Sequence, residues 1–511
     1  MAENKQQTDK KKTRLLWRIF KGIGLCLLLL LLITAIYFQA PWKIITLLAI
    51  ILAACTVLPK PYRKWFWLSA GAVIIVLIIW VFLPEDNEGW RPYTFDKEKA
   101  EFEAKYAVPD EQNAAFVYIE IFENLDIDTN QPEFFVKSKP SSKDEPWLSK
   151  DHPQTAEWLK GHRNTIEKLL QASKKDKCIF LPICADFFTY SKYIENLPQM
   201  RQCAWLLISS ANNDIAENRI DAALEKFFCV NRMANHMYQQ PAMLYHIVGF
   251  GIERFALEQL NQFLIESQPR PEHLRLISDS IIGVENNWTT YWPRCLDFEK
   301  LYGKNMLCRI AYEKNSEGKV RLNRNMLSLR GILSITDDQF QQKYPPPPYF
   351  RRKIYKAKTI FNWLNYPSSP EKLAKIIDAA YEQYHAMIEP DYDWSIEPKK
   401  WDQAFKSINF RRASFNFKYF IQSSVNMSEI VYYKHHEWYL KNLALRRGSR
   451  LLIAIKQYNN KNGAWPESLN AIKSNVPAEA LIDPVTGNEF EYENHVIRFS
   501  LFAESVNIWP K

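Results

Sequence analysis

The sequence predicts a mainly α protein with N-terminal transmembrane helices, then stacked helical hairpins in an α-solenoid-like arrangement, and a small α+β unit at the C-terminus. Three observations lead to this fold class. Three apolar segments fill residues 23–83, apolar residues then recur at helical spacing, and alternating strand patterns occur near the C-terminus. These patterns divide the chain into a basic cytoplasmic tail (1–22), three transmembrane helices (23–83), a helical extracytoplasmic domain (84–311), an irregular Pro-rich crossover (312–350), a second helical part (351–426), and a long helix with a β-hairpin (427–511).

The apolar segments Ile23–Phe38, Ile44–Leu58 and Trp65–Leu83 have the composition of membrane spans. A helix rises about 1.5 Å per residue, so the third segment covers roughly 28 Å, close to the hydrocarbon thickness of a bilayer. The second segment is near the length of re-entrant segments, which leaves open whether it crosses fully. Because Pro41 cannot continue the first helix, the first two segments are expected to form a tight helical hairpin.

Charge predicts the orientation of these spans. The first 64 residues carry 11 Lys and Arg against two acids, and with three spans both basic flanks lie on the cytoplasmic side. We therefore expect a multi-pass protein of the inner (cytoplasmic) membrane, with a cytoplasmic N-terminus and a large extracytoplasmic domain. Residues 65–511 are neutral overall, so the basic charge indicates attraction to the lipid bilayer and gives no evidence for nucleic acid. A basic cluster at 351–358 is interpreted as a solvated helix face.

Residues 203–264 predict the helical hairpins. Apolar stripes before and after a polar turn, Asn213–Arg219, indicate an αα-hairpin, and a third helix is predicted after Pro241. The hairpin resembles a tetratricopeptide-type unit, but no clear period of about 34 residues follows it. We therefore expect stacked hairpins without a regular repeat.

The C-terminal unit begins with a long helix, predicted over Met427–Tyr458. Gly463 ends it, since glycine suits a left-handed C-terminal cap. A turn is predicted at Asp483–Gly487. Alternation then indicates two strands, Phe490–Glu493 and Val496–Phe502, whose apolar face is expected to pack on the long helix.

This C-terminal pattern resembles that of type II secretion pseudopilins, in which a helix is followed by a proline-containing loop, an Asp-Pro turn and a small sheet. The residues that carry the resemblance are Tyr458, Gly463, Trp465, Pro466, Leu469, Asp483, Pro484, Gly487, Phe490 and Tyr492. With residues 203–264, the tail also resembles uncharacterised bacterial families of membrane-anchored helical proteins. The prepilin cleavage signature is missing, the Asp483–Gly487 turn is one residue longer, and Glu504–Pro510 replaces the calcium-binding end. Fibre assembly and calcium binding are therefore not implied.

The sequence contains no specific catalytic motif, since HExxH, GxSxG and CxxC patterns do not occur. Residues one or two apart on a helix point in different directions, so neither His435–Glu437 nor the pair Asp297 and Glu299 converges on one ligand. We predict no catalytic, cofactor-binding or metal-binding residue and no cofactor. A site assembled from distant positions would draw on six titratable residues: His236, His246, Asp297, Glu299, His435 and Glu437.

These patterns favour a membrane-anchored cell-envelope interaction or scaffold protein without identifiable catalysis. Its partner would be an envelope protein or a second copy of the chain. The alternative is an envelope hydrolase with a site assembled from distant residues. A deep pocket lined by two or more of the six titratable candidates would favour that alternative.

Two further patterns concern the interior. Six cysteines outside the apolar segments either form disulfides in an extracytoplasmic domain or are buried thiols. The three aromatic residues Trp288, Tyr291 and Trp292 are interpreted as core packing, in preference to a stacking platform for sugars or peptides. The cysteine pairs considered are Cys178 with Cys184, Cys295 with Cys308, and Cys203 with Cys229.

Overall fold

The chain is mainly helical with small antiparallel sheets, which confirms the predicted fold class at that level. A computed structural model describes residues 89–124, 131–136, 141–180, 194, 196–282, 287–322, 367, 369–389, 392, 394, 417–493, 496–501 and 504–508. The helices, numbered in chain order, are α1 (Asp96–Tyr106), α2 (Ala115–Glu123), α3 (Glu133–Val136), α4 (Pro153–Gly161), α5 (Arg163–Ser173), α6 (Asn196–Ala216), α7 (Ile220–Tyr238), α8 (Met243–Glu266), α9 (Pro271–Ile282), α10 (Trp288–Ala311), α11 (Pro370–His385) and α12 (Phe417–Asn462).

The predicted location in the inner membrane is wrong on the evidence of these helices. Among the residues described above, no helix combines the length and the apolar character needed to cross a bilayer. Helices α8 and α12 have 24 and 46 residues and are long enough, but charged residues such as Glu253 and Arg446 interrupt their apolar sequence. The three segments predicted as spans, within residues 23–83, lie outside the described residues, as does most of the Pro-rich crossover.

The chain forms two compact units, each assembled from separated stretches. Among the described residues, unit 1 holds those of 89–94, 304–380 and 417–428, and unit 2 holds those of 95–303, 381–394 and 429–508. In unit 1, three short strands form an antiparallel sheet in the order β1 (Arg91–Pro92), β2 (Tyr312–Lys314) and β3 (Val320–Leu322).

Helices α6, α7 and α8 form the centre of unit 2 and include the predicted hairpin and the helix after Pro241, although α6 continues to Ala216, so the turn is shorter than the predicted Asn213–Arg219. The turn between α6 and α7 contains Asn218 in the left-handed region, with φ of 60°. Where α8 approaches α7, a Cβ on Gly249 would lie 2.7 Å from the Tyr238 ring, so the close packing requires glycine.

The C-terminal tail contains the predicted helix and hairpin. Gly463, with φ of 69°, ends α12 by donating its N–H to the carbonyl of Asn459 at 2.8 Å. Strands β4 (Glu491–Glu493) and β5 (Val496–Leu501) form the hairpin, in which Ile497 is fully buried. A third strand, β6 (Glu504–Ile508), pairs with β5 and is not predicted, because it carries only two apolar residues.

A buried ion pair joins α8 to α12 inside unit 2. Arg446 donates to Oε1 of Glu253 from Nε at 2.7 Å and from Nη2 at 2.5 Å. The second oxygen, Oε2, accepts from the Tyr238 hydroxyl at 2.5 Å and from the Asn442 amide at 3.3 Å. Because both carboxylate oxygens have donors, the pair offsets much of the large free energy needed to bury two charges.

The buried residues distinguish between the two interpretations given for the cysteines and the two given for the aromatic residues. Trp288 and Trp292 are buried and stack with ring centres 4.4 Å apart, which confirms core packing. Cys184 lies outside the described residues. The cysteines that the structure describes are buried thiols without disulfides, namely Cys178, Cys203, Cys229, Cys295 and Cys308.

Replacing Arg446 by methionine should lower the free energy of unfolding by about 3–5 kcal/mol, because Glu253 is then left buried without its cation. The matched control is Arg163→Met, whose side chain is 81% exposed beside Glu167 and should lose less than about 1 kcal/mol. Urea unfolding followed by tryptophan fluorescence measures both. Similar losses in the two variants would contradict the importance assigned to the buried pair.

Alanine at two glycines should change stability in opposite directions. Gly487 has φ of 74°, where a side chain costs about 1–2 kcal/mol, so Gly487→Ala should open the tail to proteolysis between Gly463 and Lys511. Gly161 has an ordinary φ and open space around it, so Gly161→Ala should stabilise by about 0.4–1 kcal/mol. An unchanged cleavage pattern in Gly487→Ala would count against the observed turn.

Candidate functional site

Unit 2 contains a cleft of about 820 Å³ whose charged residues are mostly basic, hereafter the basic cleft. Two acids, Asp176 and Asp279, line it. Residues 65–511 are neutral overall, so the excess of bases here is a local concentration of charge. The low-dielectric walls of a cleft strengthen the potential that such charges produce. The six bases that line the cleft are Lys105, Lys174, Lys175, Lys177, Arg232 and Arg294.

Three of these lysines lie on an irregular segment, Lys174–Phe180, that follows α5 and continues into the interior. Apart from one bridge between Lys177 and Asn113, the segment forms neither helix nor strand. Its last three residues, 178–180, are at most 3% exposed. Buried backbone N–H and C=O groups need hydrogen-bond partners, and no regular secondary structure supplies them here.

Two glutamines at the end of α7 supply several of these partners. The Gln239 side chain accepts from the N–H of Cys178 at 2.8 Å and donates to the carbonyl of Asp176 at 2.9 Å. The Gln240 side chain accepts from the N–H of Phe180 at 3.1 Å and donates to the carbonyl of Cys178 at 2.6 Å. Each carboxamide therefore bonds to the segment as a neighbouring strand would.

The stretch that precedes α2 supports the segment from the other side. Asn113 accepts from the N–H of Ile179 and donates to its carbonyl, both at 2.9 Å. The N–H of Ala114 donates to the carbonyl of Lys177 at 2.8 Å. Side chains and backbone together hold the lysine-bearing segment in one conformation.

His236 of α7 completes this support. Its Nε2 contacts the carbonyl of Lys175 at 2.7 Å, and since a carbonyl only accepts, Nε2 carries the proton. The other nitrogen, Nδ1, then accepts from the Tyr118 hydroxyl at 3.0 Å. Burial lowers the pKa of His236 to about 4, so the ring is neutral at pH 7. With both nitrogens engaged, His236 positions the segment and has no free nitrogen for acid–base chemistry.

The bases of the cleft are only partly neutralised by nearby acids. A single oxygen of Glu225 contacts both Lys174, at 3.2 Å, and Arg232, at 3.3 Å. For Lys177, no acid in the described part of the chain forms a salt bridge. The cleft therefore keeps positive charge that a negatively charged ligand can contact.

Arg294 of α10 is held by neutral groups. Its Nη1 donates to the carbonyl of Gln239 at 2.5 Å, and its guanidinium carbon lies 4.7 Å from the ring centre of Tyr106 and 5.9 Å from that of Tyr291. Its Nε is buried and has no acceptor among the described residues, and Oδ1 of Asn235 likewise has no donor. Both residues line the basic cleft.

Of the six candidates from the sequence, His236 lines the basic cleft, whereas His246 lies in the interior. Nε2 of His246 contacts the carbonyl of Gln240 at 2.9 Å, and the Cys295 sulfur is 3.5 Å away. Burial lowers the pKa of His246 to about 4 and raises the pKa of the Cys295 thiol well above its ordinary value. This pair is a neutral imidazole beside a neutral thiol, whereas a nucleophilic cysteine needs a thiolate.

The two candidate carboxylates of α10 face different partners, as their spacing predicts. Asp297 lies 3.7 Å from Lys105. Burial raises the pKa of Glu299 to about 7, although a hydrogen bond from the Met243 N–H opposes this shift. The two groups therefore do not form the paired carboxylates of a glycoside hydrolase.

The two candidates of α12 also diverge. His435 is buried, stacks on Trp292 at 5.5 Å, and has a pKa held well below its ordinary value by burial. Glu437 accepts from Lys434 at 2.6 Å and from Lys441 at 2.5 Å. Across the ranges that the structure describes, no three His, Cys, Asp or Glu side chains are grouped so that they could hold a metal.

The sequence does not predict the basic cleft. Its only local signal is the run Lys-Lys-Asp-Lys at 174–177, which also fits the usual preference for bases at a helix C-terminus. Arg232 and Arg294 come from helices distant in sequence, so the fold alone brings them to one cleft. The cluster that the sequence does single out, at 351–358, lies outside the described residues.

Comparisons with protein-family models, with curated proteins and with solved structures give no match for this chain. Function is therefore inferred from the geometry of the cleft.

Stability should depend on pH through His236. The pKa is about 6.5 in an unfolded chain and about 4 in the fold, so the unfolded state binds more protons between these values. The stabilisation is fully present above pH 6.5 and is lost as the pH falls to about 4, a change of roughly 3 kcal/mol. His236→Gln should lower stability near neutral pH and reduce this dependence, and the remainder comes from other histidines whose pKa burial lowers, such as His246 and His436.

Urea unfolding at about pH 7.5, 6 and 5 measures the effect. The control His162→Gln alters a half-buried histidine outside the cleft and should keep the wild-type slope. If His236→Gln kept the full wild-type pH dependence, the neutral, buried state assigned to His236 would be incorrect.

Proposed function

We propose that this chain is a non-catalytic interaction protein whose basic cleft binds an acidic segment of a partner protein. The observation that carries the proposal is the fixed conformation of Lys174–Phe180, which places three lysines at a cleft that also contains Arg232 and Arg294. Groups that are ordered before binding lose less conformational freedom on association. A pre-ordered cationic site therefore favours recognition over the weak attraction of a mobile basic surface.

The size and lining of the cleft support an extended ligand. Its bases come from α1, from the segment after α5, from α7 and from α10, so several negative groups would be needed to contact them all. The volume falls in the range of sites for ligands much larger than a single inorganic ion. Val108, Phe228 and Leu276 add apolar surface, which suits a peptide with both acidic and apolar side chains.

The surrounding helices support a scaffold role. We interpret α6, α7 and α8 as an α-solenoid-like stack of hairpins, in which α7 brings Arg232 and His236 to the cleft and Gln239 follows directly after its last residue. The interior of unit 2 contains the Glu253–Arg446 pair and the neutral rings of His236 and His246. This arrangement suits a rigid platform for binding.

We also propose that residues 427–511 form a tail similar to that of pseudopilins. Three features support the likeness: the end of α12 at Asn462, the small sheet, and the turn in which the Gly487 N–H donates to the carbonyl of Asp483 at 2.8 Å. The likeness concerns the tail alone and carries no implication of fibre assembly.

The double variant Lys174→Gln/Lys177→Gln should bind an acidic peptide about 5- to 30-fold more weakly than the wild type, since each lost charge removes up to about 1 kcal/mol. The probe is a fluorescein-labelled ten-residue peptide of glutamate and leucine. Binding is measured by fluorescence anisotropy on the full-length protein, and it should weaken as salt screens the charges.

The matched control is Lys97→Gln/Lys160→Gln, which removes the same charge at two exposed lysines outside the cleft. This control is essential because the first 64 residues carry nine net positive charges that also attract the peptide. Equal affinities of the two double variants would contradict the proposal. Loss of self-association in the cleft variant alone would identify a second copy of the chain as the partner.

A further inference from the structure

We infer that Arg294 selects the ligand of the basic cleft by binding one of its oxyanions, a carboxylate or a phosphoryl group, through two parallel hydrogen bonds. The inference rests on the proposed function and adds to it the residue that discriminates between anions. Other bases of the cleft attract negative charge of any shape, whereas Arg294 recognises a particular geometry.

The hydrogen bonds of Arg294 leave one edge of the guanidinium available. Nη1 is engaged with the carbonyl of Gln239, and the opposite edge consists of Nε and Nη2, whose N–H bonds are parallel. Nε is buried and has no acceptor among the described residues, and the one hydrogen bond that Arg294 donates within them comes from Nη1. This edge matches the spacing of two oxygens in a carboxylate or phosphate.

The position of this edge is fixed before any ligand binds. Tyr106 and Tyr291 lie close to the guanidinium, which restricts its movement. Gln239 anchors Nη1 through its carbonyl, and its side chain holds Asp176 and Cys178. The same residue therefore fixes both the arginine edge and the lysine-bearing segment.

Asn235 provides a second polar group without a partner in the same cleft. Its Oδ1 is buried and accepts no hydrogen bond from the described residues. The two ends of a carboxamide exchange by rotation, so Nδ2 can be turned to donate to an anion beside Arg294. An oxyanion would supply the acceptor that the buried Nε of Arg294 lacks, and after this rotation Nδ2 of Asn235 would donate to the anion as well.

The first test uses the wild-type protein. The labelled acidic peptide is displaced by phosphate, acetate or chloride at matched ionic strength. If Arg294 binds two oxygens side-on, phosphate and acetate should displace the peptide at about ten-fold lower concentration than the spherical chloride. Equal displacement by all three anions would overturn the inference, and this outcome does not depend on any variant folding.

The second test uses Arg294→Lys, which keeps the charge but loses the paired N–H edge. Affinity for the acidic peptide should fall about ten-fold, and the preference for oxyanions over chloride should disappear. If Arg294 only stabilised the fold, replacing it by lysine would not remove the preference for oxyanions. The control Arg163→Lys, at an exposed arginine of α5, should behave as the wild type.

The outcomes separate this inference from the proposed function. If Arg294→Lys keeps the affinity and the oxyanion preference while Lys174→Gln/Lys177→Gln still weakens binding, the selective role of Arg294 is refuted and the cleft proposal stands. If Lys174→Gln/Lys177→Gln binds the peptide as tightly as the wild type, the proposed function itself is contradicted. A phosphoserine version of the probe distinguishes the two oxyanions, since the version whose affinity falls more in Arg294→Lys carries the group that Arg294 prefers.

Discussion

The segment Lys174–Phe180 continues into the interior at residues 178–180 and must form backbone hydrogen bonds although it belongs to no helix and to no strand, and this requirement organises the cleft. Asn113, Gln239 and Gln240 meet it with both ends of their carboxamides, and His236 meets it with a ring kept neutral by burial. Because these partners fix the backbone, the side chains of the three lysines before the buried residues extend from fixed backbone positions. The positive charge of the cleft therefore depends on the hydrogen bonds that hold this backbone in place.

Two arginines of unit 2 show how differently the protein treats charge. Arg446 is buried against Glu253, and Tyr238 and Asn442 also donate to this carboxylate, so the bonds of this network lie within the protein interior. Arg294 is held by a carbonyl and by aromatic rings, and its Nε has no acceptor among the described residues. The first arrangement is typical of a structural core. The second is typical of a site whose partner comes from outside.

Periodic patterns made the hairpin and the tail predictable. Helical spacing placed α6, α7 and α8, and Gly463 marked the end of α12 because its backbone is left-handed. The strand β6 escaped prediction because polar residues obscure its alternation. The apolar segments at 23–83 predicted a membrane location that the described helices do not support.

The candidate site could not be predicted for a different reason. Its anchoring bonds run from side chains to backbone between residues about 60 positions apart in sequence, as from Gln239 to Cys178, and such bonds leave no periodic signal. The sequence instead directed attention to histidines and carboxylates. The fold holds Glu299 in the interior and pairs Glu437 with two lysines, so these groups do not converge.

Lysine footprinting tests the central claim most directly. The full-length protein is labelled with an amine-reactive reagent, with and without the acidic peptide, and the modified lysines are identified by mass spectrometry. A ligand in the basic cleft should protect Lys174 and Lys177 while leaving the exposed Lys160 of α4 unchanged. Equal protection of all three lysines, or protection of none, would contradict the assignment of this cleft as the binding site.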